Sequence, residues 1–173
     1  MLVIFAGLPG TGKSTIAKEL ARRTGATYVR IDSVEQALAK SHLGAQPVED
    51  AGYQVGYAVA ADNLRIGRTV IADSVNPIAL SRTAWLETAE RLGCAAIEVE
   101  VVCSDPIEHR RRVETRSADV LGHSLPTWQN VLDHEYDAWD REHIVIDTAG
   151  KPPQHSVDTL LAQLPSLRPA KDN

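Results

Sequence analysis

The chain has 173 residues, 43% of them hydrophobic and 24% charged, with a formal net charge of −5. That length and balance allow a sizeable buried core and exclude a disordered or fibrous chain for its bulk. An acidic balance argues against broad, sequence-independent nucleic-acid binding, and two cysteines are too few for a disulfide scaffold or a thiolate metal site. Cys94 and Cys103 read as buried free thiols of a reducing, cytoplasmic setting. The apolar N-terminus is too short to span a bilayer and lacks the basic flank of a signal peptide, so no membrane partner is expected.

Strand and helix signals alternate along the chain. Residues 2–6 are a short, wholly apolar run, the pattern of a strand buried on both faces. Residues 13–24 read as a helix, with Ile16, Ala17, Leu20 and Ala21 on one face and Gly25 at its end. A strand at 27–31 leads to a short helix at 33–40 and a polar loop at 41–48. Residues 49–66 predict a long helix in which Tyr53, Tyr57, Ala60, Ala61 and Leu64 share a face. A strand at 69–72, a helix at 80–92 closed by Gly93, and a strand at 95–102 follow. Asp105 and Pro106 open a helix that runs to about Arg116, with Glu108 placed to complete a capping box. A polar loop at 117–126 precedes a helix at 127–139, a strand at 143–146 and a helix at 155–164. The tail from Pro165 is expected to fray. This alternation implies parallel strands in a three-layer α/β/α sandwich, one domain over residues 1–173.

Between the first strand and first helix, Gly7-Leu8-Pro9-Gly10-Thr11-Gly12-Lys13-Ser14 fits G-x-x-x-x-G-K-[ST] at every position. Glycines let backbone N–H groups curl around a phosphate, and the helix that starts at Lys13 turns its unsatisfied N–H groups toward that anion. Gly7, Leu8, Pro9, Gly10, Thr11, Gly12, Lys13, Ser14 and Thr15 are thus the candidate nucleotide-binding loop. Lys13 would reach the β- and γ-phosphates of ATP, and Ser14 would ligate Mg²⁺. Asp73, at the tip of the third strand, is read as a second magnesium ligand because it stands beside the phosphate loop, with a cap of the next turn as the alternative role. Ser74 follows it, where motor-type ATPases carry a water-orienting Glu.

The loop Gly7 to Thr15, followed by Asp32 and then Val70-Ile71-Ala72-Asp73-Ser74-Val75-Asn76, resembles the small P-loop kinases over nearly the whole chain. Within them it is similar to polynucleotide 5′-hydroxyl kinases, zeta toxins, chloramphenicol phosphotransferase and gluconate kinase. The resemblance implies a P-loop fold with a five-stranded parallel sheet in the order 2-3-1-4-5 and a mobile lid. It implies that Asp32 accepts the proton of the acceptor hydroxyl; capping the helix near Ser33 is the alternative role for Asp32. It also implies that Arg112 and Arg116, one helical turn apart, are lid arginines that clasp the transferring phosphoryl, with a lid at 112–126. Arg30 reads as a solvated residue at a strand edge or a ligand for an anionic acceptor. Arg110 and Glu114 read as an exposed pair. The resemblance places Thr148 beside the adenine and an acceptor-binding insertion at 41–66.

The function implied is an ATP-dependent kinase acting on a hydroxyl of a small molecule, nucleoside or nucleotide. A polynucleotide kinase is the alternative that the acidic charge disfavours. A P-loop ATPase or switch working through protein interaction is the alternative of another class. The three tryptophans read as core, and none of the six histidines is assigned a role.

Overall fold

The computed structural model describes residues 1–41, 50–117 and 125–167. Five strands, β1 (Leu2–Ala6), β2 (Thr27–Arg30), β3 (Val70–Asp73), β4 (Ala96–Val102) and β5 (Ile144–Asp147), form a parallel sheet in the order β2-β3-β1-β4-β5. Parallel neighbours need crossover connections, and helices supply them: α1 (Lys13–Thr24), α2 (Ile31–Lys40), α3 (Ala51–Arg65), α4 (Ala79–Glu90), α5 (Pro106–Thr115), α6 (Trp128–Leu132) and α7 (Pro153–Gln163). The strand order is the one the resemblance implied. Most of the expected loop at 41–48, and residues 118–124 of the expected lid, lie outside the described residues.

β1 is central and buried along its whole length. Its side chains alternate between two cores. Val3 and Phe5 pack with Ile16 and Leu20 of α1 and with Val157 and Leu160 of α7. Leu2 and Ile4 pack with Ala60 of α3 and Trp85 of α4. A strand covered on both faces has no polar side to show, which is why its sequence is an unbroken apolar run. Phe5 and Arg30 both lie level with Asp73 in the register. The chain therefore leaves β1, β2 and β3 at one edge of the sheet, where open α/β sheets bind their ligands.

Several elements differ from the sequence reading. The buried seam of α3 is Gly52, Gly56, Ala60 and Leu64, with Tyr53 and Tyr57 at its margin. The glycines are there for volume: a Cβ at Gly52 would stand 2.4 Å from Glu35 Cγ, and one at Gly56 would stand 2.4 Å from Ile31 Cδ1. The capping box at Asp105 is half made. Asp105 accepts from the N–H groups of Ile107 and Glu108, but the Glu108 carboxylate turns away to Arg112 and Gly150. The tail does not fray at once, since Pro165–Leu167 form a 3₁₀ turn that buries Leu167.

The largest correction concerns 127–139. α6 covers only five residues, and from Asp133 the chain runs irregularly across the face of α4. Tertiary contacts outbid the helix there. The Asp137 carboxylate accepts from Ala79 N at the start of α4, and its carbonyl accepts from Arg82. The Arg82 guanidinium, almost fully buried, lies 4.3 Å from the Trp139 ring centre, and Trp139 stacks on His143. Of the three tryptophans only Trp85 is fully buried; Trp128 and Trp139 are half-buried.

The same strap completes β4. Glu98 and Glu100 alternate with the buried Val99 and Val101, so they point at the strap. Arg141 bonds Glu98 in both directions of its fork, at 2.7 and 3.1 Å, and His143 Nε2 lies 3.2 Å from Glu100. Glu98 is 5% exposed, so removal of its partner strands a buried charge. Arg141→Leu is expected to lower stability by about 3 kcal/mol in urea denaturation, and Glu98→Leu added to it should recover most of that loss, because no buried charge is then left unpaired.

Candidate active site

The loop after β1 turns back on itself through three glycines with positive φ, Gly7 (133°), Gly10 (86°) and Gly12 (96°). Gly10 has no alternative. A Cβ there would meet Val113 Cγ2 at 2.4 Å, and other residues resist its backbone conformation. A loop that turns its N–H groups inward must turn its carbonyls outward, and these find partners. Thr11 Oγ1 donates to Leu8 O (3.0 Å), His109 Nε2 lies 2.8 Å from Pro9 O, and Ile16 N donates to Gly12 O. Thr148 Oγ1 lies 2.8 Å from Thr11 O and 3.0 Å from Val102 O, sharing its one proton between them. A carbonyl only accepts, so the His109 nitrogen facing Pro9 carries a hydrogen. Lys13 opens α1 and is buried, while Ser14 is half-buried.

Beside this loop, Asp73 is 2% exposed and accepts from Tyr28 OH at 2.6 Å. It does not cap the following turn through any hydrogen bond given by the described residues. That turn is held by Asn76, whose side chain donates to Phe5 O and accepts from Trp85 Nε1, while Val75 O accepts from Gly7 N. Asn76 has φ of 47°, a left-handed conformation that asparagine tolerates.

Asp32 lies inside the first turn of α2, which begins at Ile31 and not near Ser33, and it does not cap the helix. Its carboxylate pairs with Arg30 at 3.2 Å, and Arg30 Nε stands 3.9 Å from Asp73. Arg30 is therefore a half-buried bridge between two carboxylates and not a solvated edge residue. One turn beyond Asp32, Glu35 packs against Gly52. Burial, and then the charge of Asp32, raise the Glu35 carboxyl above its ordinary value. Burial likewise pushes the Tyr53 hydroxyl up to about 12 despite the Asn76 N–H that it accepts.

The two lid-arginine candidates do not share a helical face, because α5 ends at Thr115 and Arg116 is extended. Arg112 donates to Thr148 Oγ1 (2.8 Å), Thr148 O (3.0 Å) and Glu108 (2.7 Å). Glu108 also accepts from Gly150 N, and these bonds hold its carboxyl below the ordinary range. Arg112 thus locks α5 to the loop after β5. Arg110 pairs with Glu114 on the exposed side, as expected. A cleft of about 750 Å³ brings most of the candidates together: Pro9, Gly10, Gly12, Lys13, Ser14, Thr15, Arg30, Asp32, Arg112, Arg116 and Thr148 line it, whereas Asp73, Gly7, Leu8 and Thr11 are not among its lining residues.

Three residues at the site carry no local signature of a role there, and Glu108 reads in the sequence only as part of a helix cap. His109 and Glu108 stand one and two residues before the arginine run, and Tyr28 lies two residues before Arg30. The usable signal was position alone: polar groups in the helix and strand whose tips face the loop.

A glycine loop of this form, between the central strand and first helix of a 2-3-1-4-5 parallel sheet, defines a P-loop nucleotide-binding protein. Residues 2–133 match the family model described as an AAA domain, and the chain belongs to that family of P-loop kinases. It is similar to the shikimate kinase of Frankia casuarinae, 30% identical over 183 residues that cover 96% of this chain and 73% of the relative. The APS kinase of Mycobacterium tuberculosis, solved with AMPPNP and APS, has the same fold, with a TM-score of 0.70 at 18% identity over 95% of this chain and 96% of that one. A sugar kinase from Janibacter superposes with a TM-score of 0.67 at 21% identity, covering 96% and 97% of the two chains. No helix among the described residues is long and apolar enough to cross a membrane.

Two outcomes test the geometry. His109→Ala should weaken binding of a fluorescent ATP analogue about tenfold, the worth of one hydrogen bond that shapes the loop, and His109→Gln, which can still donate to Pro9 O, should restore most of it. Glu35 holds its proton more tightly folded than unfolded, so its favourable contribution to folding is lost as pH rises through its raised value. Glu35→Gln should therefore be more stable than the native chain at pH 7. The urea midpoints should converge below about pH 4, where both are neutral.

Proposed function

We propose that this chain is an ATP-dependent phosphotransferase that moves the γ-phosphoryl group to a hydroxyl of a small-molecule or nucleoside acceptor. The observation that supports this reading is that Asp32 lines the same cleft as Lys13 and Ser14. The phosphate loop can bind a nucleotide there, and Asp32 offers a carboxylate to a second substrate.

The loop N–H groups and Lys13 hold the β- and γ-phosphates. The Ser14 hydroxyl and the Asp73 carboxylate are hard oxygen donors beside the loop, a donor set that fits Mg²⁺ bound mainly by phosphates and water. The ion supplies charge neutralisation on the phosphates. Asp32 aligns the acceptor hydroxyl and takes its proton as the acceptor oxygen bonds the γ-phosphorus. The bond from that phosphorus to the bridging oxygen breaks, and ADP leaves. Arg30 fixes the Asp32 carboxylate. Arg112, held by Glu108 and Thr148, lines the cleft, and Arg116, just past the end of α5, reaches the transferring group.

The test separates the two aspartates. Asp32→Asn should leave ATP affinity, by calorimetry, within a few-fold and lower kcat by roughly 10²–10⁴. Asp73→Asn should shift half-saturation in a magnesium titration of turnover to higher metal. Normal transfer by Asp32→Asn would remove Asp32 from the reaction.

A further inference from the structure

The charges around the cleft are unevenly placed. Five cationic residues line it: Lys13, Arg30, Arg112, Arg116 and Lys151. Lys13 belongs to the phosphate loop. Arg112 is held by Glu108 and Thr148, and Lys151 lies in the turn after β5, where its charge acts on the Asp147 carboxylate, so both are engaged on the side of that turn. Arg116 is extended, just past the last residue of α5. Arg30 alone stands with Asp32, and two carboxylates already balance it, Asp32 at 3.2 Å and Asp73 at 3.9 Å.

Among the described residues, no other cation lines the cleft. No Lys or Arg occurs in residues 41–64, 73–81 or 117–140. Lys40, exposed at the end of α2, lies eight residues beyond Asp32, about 12 Å of helix rise away. The acidic and neutral groups are plentiful instead. Glu35 lies one turn from Asp32, Asp50 precedes α3, and the Tyr53 hydroxyl lies at the margin of that helix. The Ser74 hydroxyl, 3% exposed beside Asp73, neighbours the Tyr53 hydroxyl.

An acceptor with a carboxylate, sulfate or phosphate needs a cation that is not already committed, because a desolvated anion without a partner is costly. We infer that the acceptor is a polyhydroxyl compound with no anionic group, either uncharged or bearing an amine. This rests on the phosphotransferase reading above. It sets the chain apart from the shikimate and APS kinases it resembles, whose named substrates are anions. The step is unchanged: the acceptor O–H bond breaks, its proton passes to Asp32, its oxygen forms the new P–O bond, and ADP carries away the bridging oxygen.

The experiment is transfer from γ-labelled ATP with magnesium, using the native chain and two panels. One holds gluconate, shikimate, APS and an oligonucleotide with a free 5′-hydroxyl. The other holds nucleosides, neutral sugars and alditols, and amino sugars, including aminoglycosides. Labelled product from the second panel, with kcat/KM at least tenfold above any member of the first, is expected. A member of the first panel phosphorylated as well as or better than any of the second overturns the inference and leaves the kinase reading standing. ATP hydrolysis at one rate with every compound, and label in none of them, overturns the kinase reading itself.

Discussion

A phosphate loop must face its N–H groups inward, and everything near the site answers the consequence. Its carbonyls then face outward into protein, where an unmet acceptor is expensive. Thr11 meets Leu8 O, His109 meets Pro9 O, and Thr148 meets Thr11 O. Those partners come from the loop itself, from α5 and from the turn after β5. Two crossovers far apart in sequence are thereby fixed to the loop before any ligand arrives.

Arg112 extends that arrangement. It bonds Thr148 on one side and Glu108 on the other, and Glu108 in turn holds Gly150 N. α5 and the turn after β5 are one hydrogen-bonded unit. On the opposite side, Tyr28 and Arg30 from β2 hold Asp73, and Arg30 also holds Asp32. The candidate base and the candidate metal ligand thus share one guanidinium. A change in the charge of either carboxylate is felt by the other through it.

The strap from Asp133 to Glu142 serves the framework. It supplies the acceptors for the start of α4 and, through Arg141, the cation for Glu98, and it leads into His143, which lies 3.2 Å from Glu100. β4 can therefore carry two carboxylates beside the wholly apolar central strand β1. The buried Arg82, stacked near Trp139, pins the strap from below.

The sequence by itself determined the strands, the helix pattern and the phosphate loop, because each is written locally: an apolar run, a 3.6-residue period, a glycine spacing. Lys13, Ser14, Asp32 and Asp73 were legible for the same reason, as polar residues at the tips of apolar strands or in a known motif. The end of α6 was not legible. Residues 127–139 keep a helical period, and only the distant α4 and Arg82 draw them out of it. The glycine seam of α3 was hidden too, since Gly52 and Gly56 answer to the bulk of Glu35 and Ile31 across a helix contact. His109 gave no signal because its partner is a backbone carbonyl a hundred residues away, which no local pattern records. Tertiary structure alone decided which polar side chain meets which outward carbonyl of the loop, because that pairing depends on where the crossovers land and not on the residues beside them.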